Sequence, residues 1–155
     1  MTTDLARLLS ETVVALFRAN GKMLEWGDAF TAPAGLTSAR WQILGAIARA
    51  GRHQTAPHIA EQMGITRQGA QKQLNLLIAD GLIERLPNPA HQRSPQYRLT
   101  EAGASLFERV NAAWQAHAAR TGDAFSAEAL EITLRTLDAI SRLHGVPARG
   151  DHDAA

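Results

Sequence analysis

The fold of this chain is decided by the stretch Thr66-Arg-Gln-Gly-Ala-Gln-Lys-Gln-Leu-Asn-Leu-Leu-Ile-Ala-Asp-Gly81. Its apolar residues recur at helical spacing and predict one buried face, made of Ala70, Leu74, Leu77 and Ile78. Thr66 can cap the start of this helix, and Gly81 can end it with a positive φ. The other face carries Arg67, Gln68, Gln71, Lys72 and Asn75. Because such side chains reach base edges in a DNA major groove, we interpret the stretch as a recognition helix.

A short helix and a tight turn are predicted immediately before this stretch. Thr55 can cap the short helix, and Pro57 suits its first turn because a missing N–H costs little there. Gly64 ends it, and only Ile65 separates Gly64 from Thr66. Two helices joined by such a turn form a helix-turn-helix.

Two longer helices are predicted further upstream. The first covers residues 3–30, and its Gly21 and Gly27 indicate a bend or break in the second half. After a loop over residues 31–36, a second helix reaches about Ala50. Its cap is Thr37 or Ser38, and its predicted buried face comprises Trp41, Leu44, Ile47 and Ala48.

A β-hairpin is predicted after Gly81. Residues 82–86 are apolar and partly branched, which indicates a strand, and residues 96–99 alternate polar and apolar side chains, which predicts its return. Residues 87–95 between them are rich in turn formers. A hairpin placed directly after a helix-turn-helix is a wing.

Two more helices are predicted after the wing. Thr100 caps one that covers residues 101–120, and Ser126 caps a second one that Gly145 ends. Residues 146–155 are expected to form a disordered tail.

Positive charge is concentrated in the middle of the chain. Residues 37–100 hold eight Lys or Arg against three Asp or Glu, a net charge of +5, whereas the whole chain has a net charge of +1. A basic middle between mildly acidic ends suggests that the middle contacts a polyanion. The alternative is chance clustering on a solvated surface.

Composition excludes several classes of protein. A chain of 155 residues is most simply one domain. It has no cysteine, which excludes a disulfide framework and a thiolate metal site and fits a cytoplasmic location. No membrane span or signal peptide is recognised. The six histidines lack close ligand spacing, so we predict no metal and no other cofactor. No motif of an enzyme is visible.

The order of these elements resembles the MarR (multiple antibiotic resistance regulator) family of bacterial transcription factors. Four stretches carry the resemblance: Leu36-Thr-Ser-Ala-Arg-Trp-Gln-Ile-Leu44, Ile59-Ala-Glu-Gln-Met-Gly-Ile-Thr-Arg67, Leu77-Ile-Ala-Asp-Gly-Leu-Ile-Glu-Arg85 and Leu99-Thr-Glu-Ala-Gly103. The implied fold is mainly α with a small β-hairpin. A winged helix-turn-helix over residues 37–100 would be flanked by dimerisation helices over residues 1–30 and 101–145, in a single domain.

The resemblance implies a homodimeric, sequence-specific regulator of transcription, a ligand-responsive repressor that binds a palindromic site in double-stranded DNA. Thr66 and the N-terminus of its helix would meet a phosphate. Arg93, with His91 and Gln92 beside it, would enter the minor groove. Arg40 and Arg98 would contact phosphates. Because His91 stands where the family usually has Asp, the exact pose of the wing is left open. With Gln73 also standing where the family usually has an aliphatic residue, the angle of the recognition helix on DNA is expected to differ slightly from that of its relatives.

The family also implies that the terminal helices intertwine between protomers and that a small aromatic or phenolic effector binds beside them. The candidate effector-binding residues are Trp26, Phe30, Trp41 and His58. The alternatives are terminal helices that fold back on their own domain, and aromatic residues that only fill the core. A winged-helix module that binds proteins and not DNA is the rival function. Such a module would expose aromatic and Met side chains, where this helix exposes Gln, Lys, Arg and Asn.

Overall fold

The computed structural model describes residues 2–145, which form six α-helices and a three-stranded sheet. In chain order these are α1 (Thr2–Thr31), α2 (Ser38–Arg49), β1 (Gln54–Thr55), α3 (Ala56–Met63), α4 (Arg67–Ala79), β2 (Ile83–Leu86), β3 (Gln96–Leu99), α5 (Glu101–Gly122) and α6 (Ala127–His144). A single-turn 3₁₀ helix, Ala32–Ala34, follows α1. This order confirms the predicted fold class. The predicted disordered tail lies outside the described residues.

The chain divides into two compact units, one ending at Ala112 and the other beginning at Ala113. The first unit contains α1 to α4, the sheet and the first half of α5. The second contains the rest of α5 together with α6.

Side-chain caps confirm most of the predicted helix starts. Four helices begin after a residue whose hydroxyl oxygen accepts the backbone N–H three positions on: Thr37, Thr55, Thr66 and Ser126. Thr100 does the same for α5, because its Oγ1 lies 3.1 Å from the amide nitrogen of Gly103. Each such cap satisfies one backbone donor that the first turn leaves without a helical partner.

The prediction of a possible break in α1 was wrong. The helix continues without interruption past both of its glycines. A helical Gly costs only about 1 kcal/mol relative to Ala, which a helix of 30 residues can absorb. Gly27 also has a packing role. A Cβ at that position would lie 2.7 Å from Ser38 Oγ, so the missing side chain lets α1 approach α2 closely. Beside it, the Ser38 amide donates to Asp28 Oδ1 over 2.7 Å.

The buried face predicted for α2 was wrong at one edge. Leu44 and Ile47 are buried as expected, but Ala48 is exposed and Trp41 is only half-buried. Ile43, which was not in the predicted face, is fully buried. The face that packs into the core is therefore rotated by about one residue from the one that the apolar spacing indicated.

The sheet has one strand more than the predicted hairpin. Its order is β1-β3-β2 and both pairings are antiparallel, with Ile83 opposite Leu99 and Gln54 opposite Tyr97. The sequence did not reveal β1 because two residues show no alternation. The pairing with β3 is what holds β1 extended, and it joins the start of α3 to the wing.

The core of the first unit draws one to three residues from each of α2, α3, α4, α5, β2 and β3, together with Leu36. Its members include Leu36, Ile43, Leu44, Ile59, Leu74, Leu77, Ile83, Tyr97, Leu106 and Val110. The start of α5 lies very close to the chain entering β2. A Cβ on Gly103 would meet the carbonyl oxygen of Leu82 at 1.8 Å, and Thr100 Oγ1 donates to the Gly81 carbonyl over 2.7 Å.

Large apolar side chains remain exposed on the first and last helices. On α1 they include Leu5, Leu8, Leu9, Val14 and Phe17, and on α6 Leu130, Ile132, Leu134 and Leu143. No described residue of α6 is buried. Each of these two helices therefore exposes several large apolar side chains within one element, more than the single scattered residues that are normal on a protein surface.

Candidate nucleic-acid interface

The recognition helix predicted over residues 66–81 is α4, and both of its ends are fixed by local hydrogen bonds. Thr66 Oγ1 accepts from the Gly69 amide at 3.0 Å. At the other end Gly81 adopts a φ of +73°, a conformation that costs Gly little. Ala70, Leu74 and Leu77 are fully buried, which confirms the apolar face. The turn before α4 is made by Gly64, whose φ is +63°.

The outer face of α4 presents the predicted polar residues together. Arg67, Gln68, Lys72 and Asn75 are exposed, and Gln71 between them is half-buried. Because residues one and two turns apart share a helix face, these side chains lie on one surface. Arg67 and Lys72 form no ion pair within residues 2–145. Their positive charge is therefore available to an anion.

Gln71 is held by two groups of its own unit. Its Nε2 lies 2.9 Å from Asn75 Oδ1 on the same helix and 3.2 Å from the hydroxyl oxygen of Tyr97 on β3. The Tyr97 side chain is fully buried. Sequence reasoning did not assign Tyr97 to the site, because 26 residues separate it from Gln71.

The wing tip is organised by Asn88, a second residue that sequence reasoning missed. Its Nδ2 donates to the Ser94 carbonyl at 2.9 Å, and its Oδ1 accepts from the Ala90 amide at 3.1 Å. An Asn that bonds its own turn in this way is a common signal in loops. The turn leaves His91, Gln92 and Arg93 exposed at its end, and Arg93 has no ion pair within the described part of the chain.

The other two predicted arginine contacts are each paired with a carboxylate. Arg40 Nη1 lies 2.7 Å from Asp80 Oδ2, which joins the start of α2 to the end of α4. Arg98 Nε lies 2.5 Å from Glu84 Oε1 across the β2–β3 ladder. These partners reduce the charge that either arginine can offer to a phosphate. Phosphate contact by Arg40 or Arg98 stays a prediction.

Three of the four candidate effector residues lie together. The rings of Trp26 and Phe30 stack with centroids 4.7 Å apart, and Trp41 lies 5.5 Å from Phe30. All three are half-buried, while His58 is exposed on α3. A separate open cleft of about 720 Å³ is lined by other residues, among them Arg52, His53 and Tyr97.

The described residues were also searched for a metal-binding cluster and for a membrane-spanning helix. Residues 2–145 contain no group of three or more His, Asp or Glu side chains arranged to hold a metal ion. Within the same range, none of the helices is long and apolar enough to cross a membrane.

A helix-turn-helix followed by a wing, with unpaired cations on both, defines a winged-helix protein of the DNA-binding class. Comparison with known sequences specifies the class further. The MarR family model matches residues 34–94. An uncharacterized protein of Mycobacterium tuberculosis is 34% identical over 137 residues, covering 88% of this chain and 92% of the relative. The chain belongs to the MarR family of transcriptional regulators, and it is a DNA-binding regulator of transcription.

Solved structures share the fold over most of the chain. The crystal structure of a MarR family transcription regulator matches with a TM-score of 0.73 and 26% identity, covering 91% of this chain and 93% of that one. A mutant of E. coli MarR complexed with operator DNA has a TM-score of 0.68 and 22% identity, with coverages of 81% and 90%. CouR from Rhodococcus jostii RHA1, bound to p-coumaroyl-CoA, has a TM-score of 0.73 and 21% identity, with coverages of 82% and 89%.

Proposed function

We propose that this protein is a homodimeric, ligand-responsive repressor that reads a palindromic operator, and that the whole chain works as one MarR-like domain in the cytoplasm. The observation that carries the proposal is the polar outer face of α4, flanked by a wing whose exposed Arg93 has no ion pair among the described residues. A major groove admits an α-helix, and a narrow minor groove attracts an inserted Arg.

The side chains of α4 suit base reading more than protein binding. Gln and Asn pair with adenine, Arg and Lys with guanine, and the dipole at the start of the helix favours a phosphate near Thr66. Protein-binding surfaces are instead enriched in exposed aromatic residues and Met. The outward face of Arg67, Gln68, Lys72 and Asn75 contains none of these. This composition supports DNA as the partner.

The exposed apolar stripes of α1 and α6 support a homodimer. In such a dimer the two copies are related by a two-fold axis, so each copy of α4 would read the same bases. The operator would therefore be a palindrome. The half-sites would lie about one helical turn apart, roughly 34 Å. Occupation of such a site near a promoter would exclude polymerase, which is the simplest form of repression.

Selection of bound duplexes from a random DNA pool tests this function most directly. We expect a palindromic consensus, and a binding constant for it that falls steeply with salt because counterions are released from the phosphates. Failure to enrich any sequence at low salt would overturn DNA reading. Enrichment of a single unrepeated half-site would overturn the two-fold dimer.

The aromatic cluster of Trp26, Phe30 and Trp41 supports binding of an aromatic effector. The ring of Phe30 contacts those of Trp26 and Trp41, and binding sites for small molecules are lined mainly by apolar and aromatic side chains. A panel of phenolic acids should therefore change the tryptophan fluorescence, and the ligand that does so should also release the selected duplex. A panel that changes neither signal would contradict the effector proposal.

A further inference from the structure

We propose that Asn88 is a positioning residue for DNA binding: its side-chain amide closes the tip of the wing and so fixes the place from which Arg93 enters the minor groove. This inference rests on the proposed function, in which Arg93 contacts DNA. It adds a residue outside the predicted contacts that determines how well Arg93 can bind.

The side-chain amide of Asn88 bonds two backbone groups that lie on either side of Arg93 in the chain. Its Nδ2 donates to the Ser94 carbonyl oxygen over 2.9 Å, and its Oδ1 accepts from the Ala90 amide over 3.1 Å. A carbonyl oxygen only accepts and a backbone N–H only donates, so these partners determine which end of the Asn88 amide faces which group. Turning the amide over would break both hydrogen bonds. Asn88 therefore has one orientation in this loop.

Few other contacts hold the tip of the wing. Of residues 87–94, Asn88 and Ser94 are half-buried and the other six are exposed, so no buried apolar side chain fixes the shape of the tip. Two backbone bonds accompany the Asn88 amide. The His91 amide donates to the Asn88 carbonyl over 3.2 Å, and the Ser94 amide donates to the His91 carbonyl over 3.1 Å. Asn88 thus takes part in three of the four hydrogen bonds within this stretch.

The prolines of the wing restrict its two ends but not its tip. Pro87, Pro89 and Pro95 each have a fixed φ, and Asn88 is held extended because a proline follows it. Residues 90–94 contain no proline. The two bonds of the Asn88 side chain reach the first and the last residue of that stretch, so they restrain the part of the loop that the prolines leave free.

A loop that is already closed binds DNA at a lower entropic cost. Ordering a flexible segment on binding loses conformational entropy, and a segment held in its bound shape avoids that loss. Arg93 is exposed and has no ion pair among the described residues, so its guanidinium is free while its backbone is restrained. Removing the Asn88 amide should therefore weaken the contact that Arg93 makes and leave base reading by α4 intact.

The first test needs no DNA. In the wild-type protein, the NMR order parameters of the backbone amides of residues 90–93 should be close to 0.85, roughly the value of a rigid backbone, and in Asn88→Ala they should fall below about 0.6. Ala brings no backbone strain, because every described residue with a positive φ is Gly. Ser94→Ala keeps the carbonyl that Asn88 bonds and should retain the wild-type values. Low values in the wild type, or no fall in Asn88→Ala, would overturn the closure of the tip.

The second test is a double-mutant cycle on the operator selected from a random duplex pool. Asn88→Ala should bind roughly fivefold more weakly, the effect of about one hydrogen bond, and Arg93→Ala roughly tenfold more weakly because a charged donor is lost. If Asn88 acts through Arg93, the double variant should bind within twofold of Arg93→Ala, since the two effects are then not additive. A further fivefold loss in the double variant would mean that Asn88 acts independently of Arg93, and the proposal would fail.

The sequence preference gives a readout that a general loss of stability would not produce. Asn88→Ala and Arg93→Ala should both lose the preference for a narrow minor groove at the flanks of the operator, while the bases read by α4 stay the same. A preference that weakens at every position would overturn the positioning role.

The results separate this inference from the proposed function. An enriched operator with additive losses, or with an unchanged preference at its flanks in Asn88→Ala, overturns the role of Asn88 alone. A wild-type protein that enriches no sequence overturns DNA reading itself, and this inference with it.

Discussion

Gly103 shows how one absent side chain decides where α5 can lie. The hypothetical Cβ would lie 1.8 Å from the Leu82 carbonyl oxygen and 2.8 Å from its carbonyl carbon. Both atoms belong to the backbone, which cannot move aside as a flexible side chain can. Thr100 lies beside this contact and bonds both the Gly81 carbonyl and the Gly103 amide. The start of α5 is thus fixed to the end of the recognition segment.

Substitution of Gly103 by Ala should therefore destabilise the protein severely. Overpacking a buried contact costs about 1–3 kcal/mol, and a backbone overlap of this size should reach at least the upper end. Gly21→Ala is the matched control, because nothing lies within 4 Å of its Cβ and it is in the interior of α1. That variant should gain about 1 kcal/mol from helix propensity. Urea unfolding measures both, and equal midpoints for Gly103→Ala and wild type would contradict the close approach.

At the scale of the element, the start of α4 combines a structural role with a proposed functional one. Thr66 caps α4, and the N-terminus of α4 is the end that would meet a phosphate. Ser126 makes the same kind of cap on α6, with its Oγ 3.1 Å from the Ala129 amide. The two caps are chemically alike, but only Thr66 lies on the candidate interface.

Replacing either cap with Ala should lower the free energy of unfolding by about 1 kcal/mol. The effect on DNA binding should differ. Thr66→Ala should bind the selected operator roughly fivefold more weakly, the equivalent of about one hydrogen bond, while Ser126→Ala should stay within twofold of wild type. Thermal unfolding and a mobility-shift titration provide the two measurements. Equal losses of affinity in both variants would mean that the cap of α4 matters only for stability.

The helices were predictable because their signals are local. Caps such as Thr37 and Thr66 act within three residues, and helical apolar spacing is visible along the chain. Several of the features that were missed depend on pairs distant in sequence. β1 exists through its pairing with β3, Arg40 meets Asp80 across 40 residues, and Tyr97 meets Gln71 across 26. No single-sequence pattern specifies such contacts.

At the scale of the whole molecule, apolar surface and positive charge are in different places. The exposed apolar side chains concentrate on α1 and α6, while the net charge of +5 belongs to residues 37–100. Exposed apolar side chains favour association with a protein partner, and unpaired cations favour a polyanion. The helices suited to a protein partner are therefore different segments of the chain from the basic segment suited to DNA.

Single charges placed on the apolar stripes should separate the proposed dimer. Phe17 and Leu134 are 71% and 67% exposed, so Glu at either position costs the isolated chain little but would bury a charge in an interface. Light scattering at micromolar concentration should give twice the mass of one chain for the wild type and a lower mass for each variant. Leu76→Glu, which changes an exposed apolar residue on α4, should keep the wild-type mass. A wild type that is monomeric at this concentration would exclude the dimer.

The short strand β1 has a consequence for how such a regulator could release its operator. Thr55 belongs to β1, where it pairs with Gln96 of β3, and it also caps α3, so bending the wing away would break a strand pairing and a helix cap together. The wing and the helix-turn-helix should therefore shift as one piece. In the proposed dimer, an effector would then leave the affinity for an isolated half-site unchanged. It would alter the number of base pairs between half-sites that the two copies prefer.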